Sequence, residues 1–119
     1  MDKWHIQQVV NEGDSRSANE WAQSMTDRMD PNSDVEPYRC ECSDADCEAT
    51  VSLSRAEYEA VRANGTTFAI APNHENPEID LLVSQNERFA VVEKLPGQAA
   101  GIVERSDPRR VRPGDPAVP

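Results

Sequence analysis

Hydrophobic and polar positions are most regularly patterned between residues 37 and 104. Tyr38 to Cys42 and Glu48 to Leu53 flank the polar run Ser43 to Asp46, a pattern that predicts a strand hairpin. Ser54 and Glu57 form a capping box, and Leu53 and Tyr58 stand at the two positions of a hydrophobic staple. A helix from about Arg55 to Ala63 is expected there, stopped by Asn64-Gly65 in a left-handed turn. Thr66 to Ala71 is β-prone, with Phe68 and Ile70 on one side. Phe89 to Lys94 predicts a further strand. Ile79 to Ser84 fits two templates: Ile79, Leu82 and Val83 at helical spacing, or Ile79, Leu81 and Val83 alternating along a strand. The hairpin-sized gap before Phe89 favours the strand. Gly97 to Glu104 reads as a short helix.

Before this region the pattern is weaker. Ser17-Ala18-Asn19-Glu20 has the form of a capping box, and Trp21, Met25 and Met29 recur every four residues as one helical stripe. Such a stripe usually packs on its own domain. Asp30-Pro31 ends this helix, because the residue before proline leaves the α region. Asn11 to Asp14 reads as a turn, and Trp4 to Val10 is too short to assign. After residue 104 the chain reads RSDPRRVRPGDPAVP, with four prolines and four arginines. Proline at that density prevents a regular helix or a central strand. The expected organisation is an N-terminal segment, 1–36, with one helix; a zinc-stabilised α+β domain, 37–104; and a disordered tail, 105–119. The domain is expected to be a small, mostly antiparallel sheet with a packed helix and a zinc knuckle at one end.

Composition narrows the functional classes. The 119 residues carry 12 basic and 22 acidic side chains, a net charge of -10. A surface of that sign repels phosphate backbones and anionic lipid, so neither nucleic acid nor membrane is an expected partner. Mean hydropathy is -0.73, and no stretch approaches the roughly 18 apolar residues of a membrane span. The N-terminus, MDKWHIQQ, shows no apolar export signal. Cytoplasmic residence with reduced thiols is therefore expected for the three cysteines.

Those cysteines carry the clearest chemistry. Cys40-Glu41-Cys42-Ser43-Asp44-Ala45-Asp46-Cys47 is a C-x-C-x4-C cluster across the predicted turn. In an extended strand Cys40 and Cys42 share a face, and the turn brings Cys47 back toward them. Structural zinc takes four ligands, mostly Cys and His. His74, in Ala71-Pro72-Asn73-His74 at the end of another strand, is the expected fourth, with Asp44 or Asp46 as competitors. Glu75 is a candidate acceptor for the second ring nitrogen. His5, near the terminus, is expected to be exposed. Three ordinary buried thiols are one competing reading. A disulfide is another, although any pairing leaves one thiol over.

Several stretches resemble a family of small, uncharacterised bacterial proteins with a C-x-C-x4-C … A-P-x-H pattern. They are Tyr38 to Cys42 with Cys47, Ala56 to Arg62, Phe68 to Glu75 and Val91 to Lys94. Those proteins usually carry glycine where this chain has Asn73. The resemblance covers roughly residues 38 to 104. It implies the domain boundary and the four-ligand set, and no activity.

Four protein ligands leave no open position on the ion, whereas catalytic zinc normally keeps one for water. The chain also lacks G-x-S-x-G, P-loop and H-E-x-x-H patterns. The leading expectation is thus a non-enzymatic interaction or regulatory module with structural zinc and a protein partner. A thiol-based redox or metal sensor is the first alternative. A metallohydrolase is the second, and it requires an open coordination site.

Overall fold

The computed structural model describes residues 3–29 and 35–109. In chain order they form α1 (Lys3–Met29), β1 (Glu36–Arg39), β2 (Thr50–Leu53), α2 (Arg55–Arg62), β3 (Thr67–Ile70), β4 (Asp80–Gln85), β5 (Ala90–Lys94) and α3 (Gln98–Arg105). The class is α+β. The strands divide into two antiparallel sheets, β1-β2 and β3-β5-β4, where one was expected.

The hairpin register pairs Tyr38 with Val51 and Glu36 with Leu53. Val51 and Leu53 alternate with exposed Thr50 and Ser52, the half-buried strand pattern. The chain then turns directly into α2. Ser54 Oγ accepts the Glu57 N–H at 3.1 Å, and Glu57 Oε1 accepts the Ser54 N–H at 2.8 Å, completing the capping box. Leu53 and Tyr58 are fully buried in one cluster, as the staple requires. The helix stop differs from expectation. Ala63 caps α2 in a right-handed conformation, and Gly65 does not adopt a positive φ. Asn64 instead uses its side chain, accepting the Thr66 N–H at 3.0 Å and hydroxyl at 2.7 Å. An Asx turn thus replaces the left-handed one.

The three-stranded sheet is covered on both faces. Phe68, Ile70, Ala90 and Val92 pack with Val9 of α1 and with Ala99 and Val103 of α3. Ala69 and Phe89 project from the opposite face and pack with Tyr58 and Val61 of α2 and with Tyr38, Val51 and Leu53 of the small sheet. Tyr38 and Tyr58 stack at 4.3 Å between ring centroids. β4 pairs with β5 as a hairpin, which settles the ambiguous segment as a strand. It is an edge strand, and a register shift between Leu82 and Ser84 marks a bulge. Ile79 is buried, while Leu81, Leu82 and Val83 are all exposed, so the expected apolar face is not formed.

The largest departure is α1. It runs unbroken through Asn11–Asp14 and through the expected capping box at Ser17. Trp21 is 69% exposed, so the aromatic end of the expected stripe faces solvent. The Met25 and Met29 side chains and Asp30-Pro31 lie outside the described residues. The buried face is instead Val9, Glu12, Ser15, Arg16, Asn19 and Gln23, residues spaced three or four apart and mostly polar. Each has a specific partner. Arg16 donates to Gly65 O at 2.6 Å and Val103 O at 2.7 Å, and its guanidinium lies 4.6 Å from the Phe68 ring centroid. Glu12 pairs with Lys94, which also pairs with Asp80; all three side chains are buried. Gln23 accepts the Tyr38 hydroxyl at 3.0 Å. α1 therefore shares a core with the domain expected at 37–104.

The start of the expected tail is also ordered into the fold. Arg62, fully buried at its side chain, pairs with Glu20 of α1 and Asp107. Arg109 pairs with Glu20 and Glu59. Residues 105–109, expected as the start of a disordered tail, are packed on the fold through Asp107 on Arg62 and Arg109 on Glu20 and Glu59. Residues 110–119 lie outside the described residues. No described helix is long and apolar enough to cross a membrane.

Candidate metal centre

Two turns and one extended segment bring the predicted donors together. Past β1 the chain stays paired: the Cys40 N–H donates to Ala49 O at 3.1 Å, and the Glu41 N–H to Ala69 O at 2.9 Å. Along this stretch Cys40 and Cys42 point to one side and Glu41 to the other, as an extended chain dictates. Both cysteines are buried beside Phe68, Ile70 and Ile79. A β-turn then presents Cys47, whose N–H donates to Asp44 O at 3.1 Å. The Asp44 carboxylate accepts the Asp46 N–H at 2.9 Å, so its role is to close this turn.

A second turn presents His74. Its N–H donates to Ala71 O at 3.1 Å, with Pro72 and Asn73 as the central residues. Asn73 has φ 71°. Proline first and a positive φ second is the type II pattern, and asparagine is one of the few side chains that accepts it. His74 Nδ1 consequently lies 3.5 Å from Cys40 Sγ and 3.6 Å from Cys47 Sγ.

The ligand atoms of Cys40, Cys42, Cys47 and His74 all lie within 4.8 Å of one another, a donor set able to hold a metal ion. Neither Asp44 nor Asp46 belongs to it. All three cysteines are free thiols. The Ala71 N–H donates to Cys40 Sγ at 3.1 Å, which favours the thiolate form. A hydrogen bond from Cys40 pulls the Cys42 thiol down to about 5. The same bond, with burial, pushes Cys40 up, and burial pushes Cys47 up.

The expected support from Glu75 is not formed: its Oε2 is buried with no hydrogen-bond partner. His5 is half-buried, with Nε2 2.6 Å from Glu78 Oε2, rather than simply exposed. The support that does exist comes from α1. Asn11 donates to Ser43 O at 2.9 Å, and Asn76 donates to Gln8 Oε1 at 3.0 Å and Ser43 Oγ at 3.3 Å.

Glu41 is the residue that sequence reasoning missed. Fully buried, it accepts from Asn19 Nδ2 at 2.9 Å, from the Tyr58 hydroxyl at 2.8 Å and from the Ala69 N–H at 3.0 Å. Burial pushes its carboxyl up, and those three donors oppose the shift. The only signal for it was its place between two inward cysteines on an extended chain, which turns it toward α2. Beside Cys47 lies an open depression of ≈ 560 Å³, lined also by Arg39, Ala45, Asp46, Glu48, Ala49 and Thr50. Comparison with protein-family models, curated proteins and solved structures finds no match to this chain.

Proposed function

We propose that the chain is a zinc-stabilised, non-enzymatic interaction or regulatory module, with one ion held by Cys40, Cys42, Cys47 and His74. The observation that carries this reading is the pair of sulfur-to-nitrogen distances, 3.5 and 3.6 Å. Zinc bonds of about 2.3 Å to sulfur and 2.0–2.1 Å to nitrogen give a tetrahedral S···N edge of about 3.6 Å and an S···S edge of about 3.8 Å. Side-chain shifts of about 1 Å bring even the widest allowed separation to those edges. Three thiolates and an imidazole are a soft, tetrahedral set, which favours zinc over oxygen-seeking ions.

A structural role follows from closure: four protein donors leave no position for water or substrate. It also suits a chain with only 5% aromatic residues, because structural zinc contributes roughly 10–16 kcal/mol of apparent folding energy in small peptides. The acidic surface directs the module toward a protein partner in a reducing cytoplasm. Kinship with the small bacterial family is part of the same proposal, and it draws support from Asn73, whose φ of 71° suits the glycine that family carries.

The test is metal analysis of protein purified without added metal, followed by cobalt substitution. One zinc per chain and the intense visible bands of tetrahedral cobalt-thiolate are expected. Cys42→Ser should weaken binding most, His74→Ala less, and Asp44→Ala hardly at all. Absence of stoichiometric metal, or cobalt bands of an octahedral site, would refute the reading.

A further inference from the structure

The four donors are not equally reachable. Cys40 and Cys42 are 1% and 3% exposed, and Cys40 is tied at its N–H to Ala49 and at its sulfur by the Ala71 N–H. Cys47 is half-buried and is the one donor residue lining the ≈ 560 Å³ depression. Its charged lining is Asp46 and Glu48 against one cation, Arg39, so it is net negative. Carboxylates there repel anionic oxidants and admit small uncharged ones.

We propose that Cys47 is the site at which a small hydroperoxide oxidises the cluster, forming a Cys42–Cys47 disulfide and expelling the ion. The proposal rests on the zinc reading and extends it to regulation of the same site. First, the Cys47 thiolate attacks a peroxide oxygen of ROOH. An S–O bond forms, the O–O bond breaks, and the leaving RO⁻ takes a proton from water to give ROH. Second, the Cys42 thiolate attacks the sulfenyl sulfur. The S–S bond forms, the S–O bond breaks, and hydroxide leaves. Two electrons pass from the two sulfurs to one peroxide. Cys42 is the partner because it sits in the bend leading toward Cys47, whereas Cys40 is held at both ends. Two of the four donors are consumed, and Cys40 with His74 is too small a set to retain zinc.

The test uses the full chain, analysed for zinc before treatment and then exposed to one equivalent of hydrogen peroxide. A chromogenic chelator follows zinc release, and peptide mapping after thiol blocking locates the oxidised sulfurs. A parallel sample of the untreated zinc protein is labelled with N-ethylmaleimide. Expected results are labelling of Cys47 at least about tenfold faster than of Cys40 or Cys42, one zinc released per Cys42–Cys47 disulfide, and recovery of zinc binding on reduction. Zinc present at the start but first modification at Cys40 or Cys42, a disulfide involving Cys40, or zinc retained until the methionines oxidise would overturn this proposal alone. No stoichiometric zinc before oxidant would overturn the metal reading and this inference with it.

Discussion

Replacing Glu41 with glutamine keeps the shape of the most buried carboxylate near the cysteines and removes its charge. In the parent, Oε2 accepts two hydrogen bonds, from Asn19 and Tyr58, and Oε1 accepts one from the Ala69 N–H. A glutamine amide can keep the Ala69 bond with its oxygen. Its NH2 group then faces two donors. Tyr58 can turn its hydroxyl to accept, while Asn19 keeps its paired bonds with the Arg39 backbone, both at 2.8 Å, and leaves one amide hydrogen without an acceptor. A buried donor left without its acceptor costs about 1–3 kcal/mol, and the two bonds that persist weaken to neutral strength. Against this, a neutral amide is easier to bury than a carboxylate, and burial already pushes the Glu41 carboxyl up. The net expectation is a loss of about 1–3 kcal/mol, set by the Asn19 N–H left buried without an acceptor, with easier burial of the amide offsetting the weakening of the Tyr58 and Ala69 bonds. Urea unfolding at pH 7 reads it as a midpoint lowered by about 0.5–1.5 M. Tyr58→Phe should cost less, and the double variant less than the sum of the two, because they share one bond. Unchanged or increased stability of Glu41→Gln would refute the reasoning, by showing that desolvation outweighs the three donors.

Other outcomes follow from the same contacts. Burial raises Glu12 from 4.5 to about 7 beside Lys94 and Asp80; the folded state therefore holds a proton that the unfolded state releases between those values, and this group's contribution to stability falls by up to about 3 kcal/mol as pH rises through that window. Subtracting the pH profile of Glu12→Gln from that of the zinc-saturated parent isolates the effect, and a difference that is flat with pH would disprove it. Ser54→Ala should cost about 0.5–2 kcal/mol in chemical denaturation, and no change would mean the capping box is not formed. Truncation after Glu104 removes Asp107 from the buried Arg62 guanidinium and should cost about 1–3 kcal/mol, whereas truncation after Arg109 keeps that pair; equal melting temperatures for the two would show that Asp107 does not pack.

What was legible in the sequence is what is local. The α2 cap, its staple and the β4-β5 hairpin depend on residues within a few positions of one another, and each was readable as a pattern. The four donors were readable because three cysteines fall within eight residues, and because Pro72-Asn73 is turn chemistry that ends in His74. α1 was not, because its packed face is polar and its partners are remote: Arg16 meets Gly65 and Val103, and Glu12 meets Lys94. Apolar periodicity cannot detect a face made of Glu12, Arg16, Asn19 and Gln23. It found Trp21 instead, which lies in solvent. The tail misled for a related reason. Proline content was the ground for expecting a disordered tail, and it says nothing of an ion pair between Asp107 and Arg62.

Polar packing of α1 also explains how so small a core specifies one arrangement. An apolar helix face can slide or rotate on an apolar sheet at modest cost. The α1 face cannot, because Glu12 meets Lys94 of β5, Arg16 meets backbone carbonyls of the α2–β3 turn and of α3, and Asn19 meets the Arg39 backbone of β1 and the Glu41 carboxylate. A shift of one helical turn, about 5.4 Å, would break all of them at once and leave several charges unpaired. The fixed helix then holds the chain around the cysteines, through Asn11 on Ser43 and Gln8 on Asn76. Ser43 lies between Cys42 and Cys47, and Asn76 lies two residues beyond His74. The two segments that supply the donors are thus clamped to one helix by side-chain hydrogen bonds. Preorganisation of that kind reduces the ordering cost that metal binding must overcome. Under the metal reading proposed above, it makes the helix, although none of its residues is a ligand, a determinant of affinity at the four-donor site.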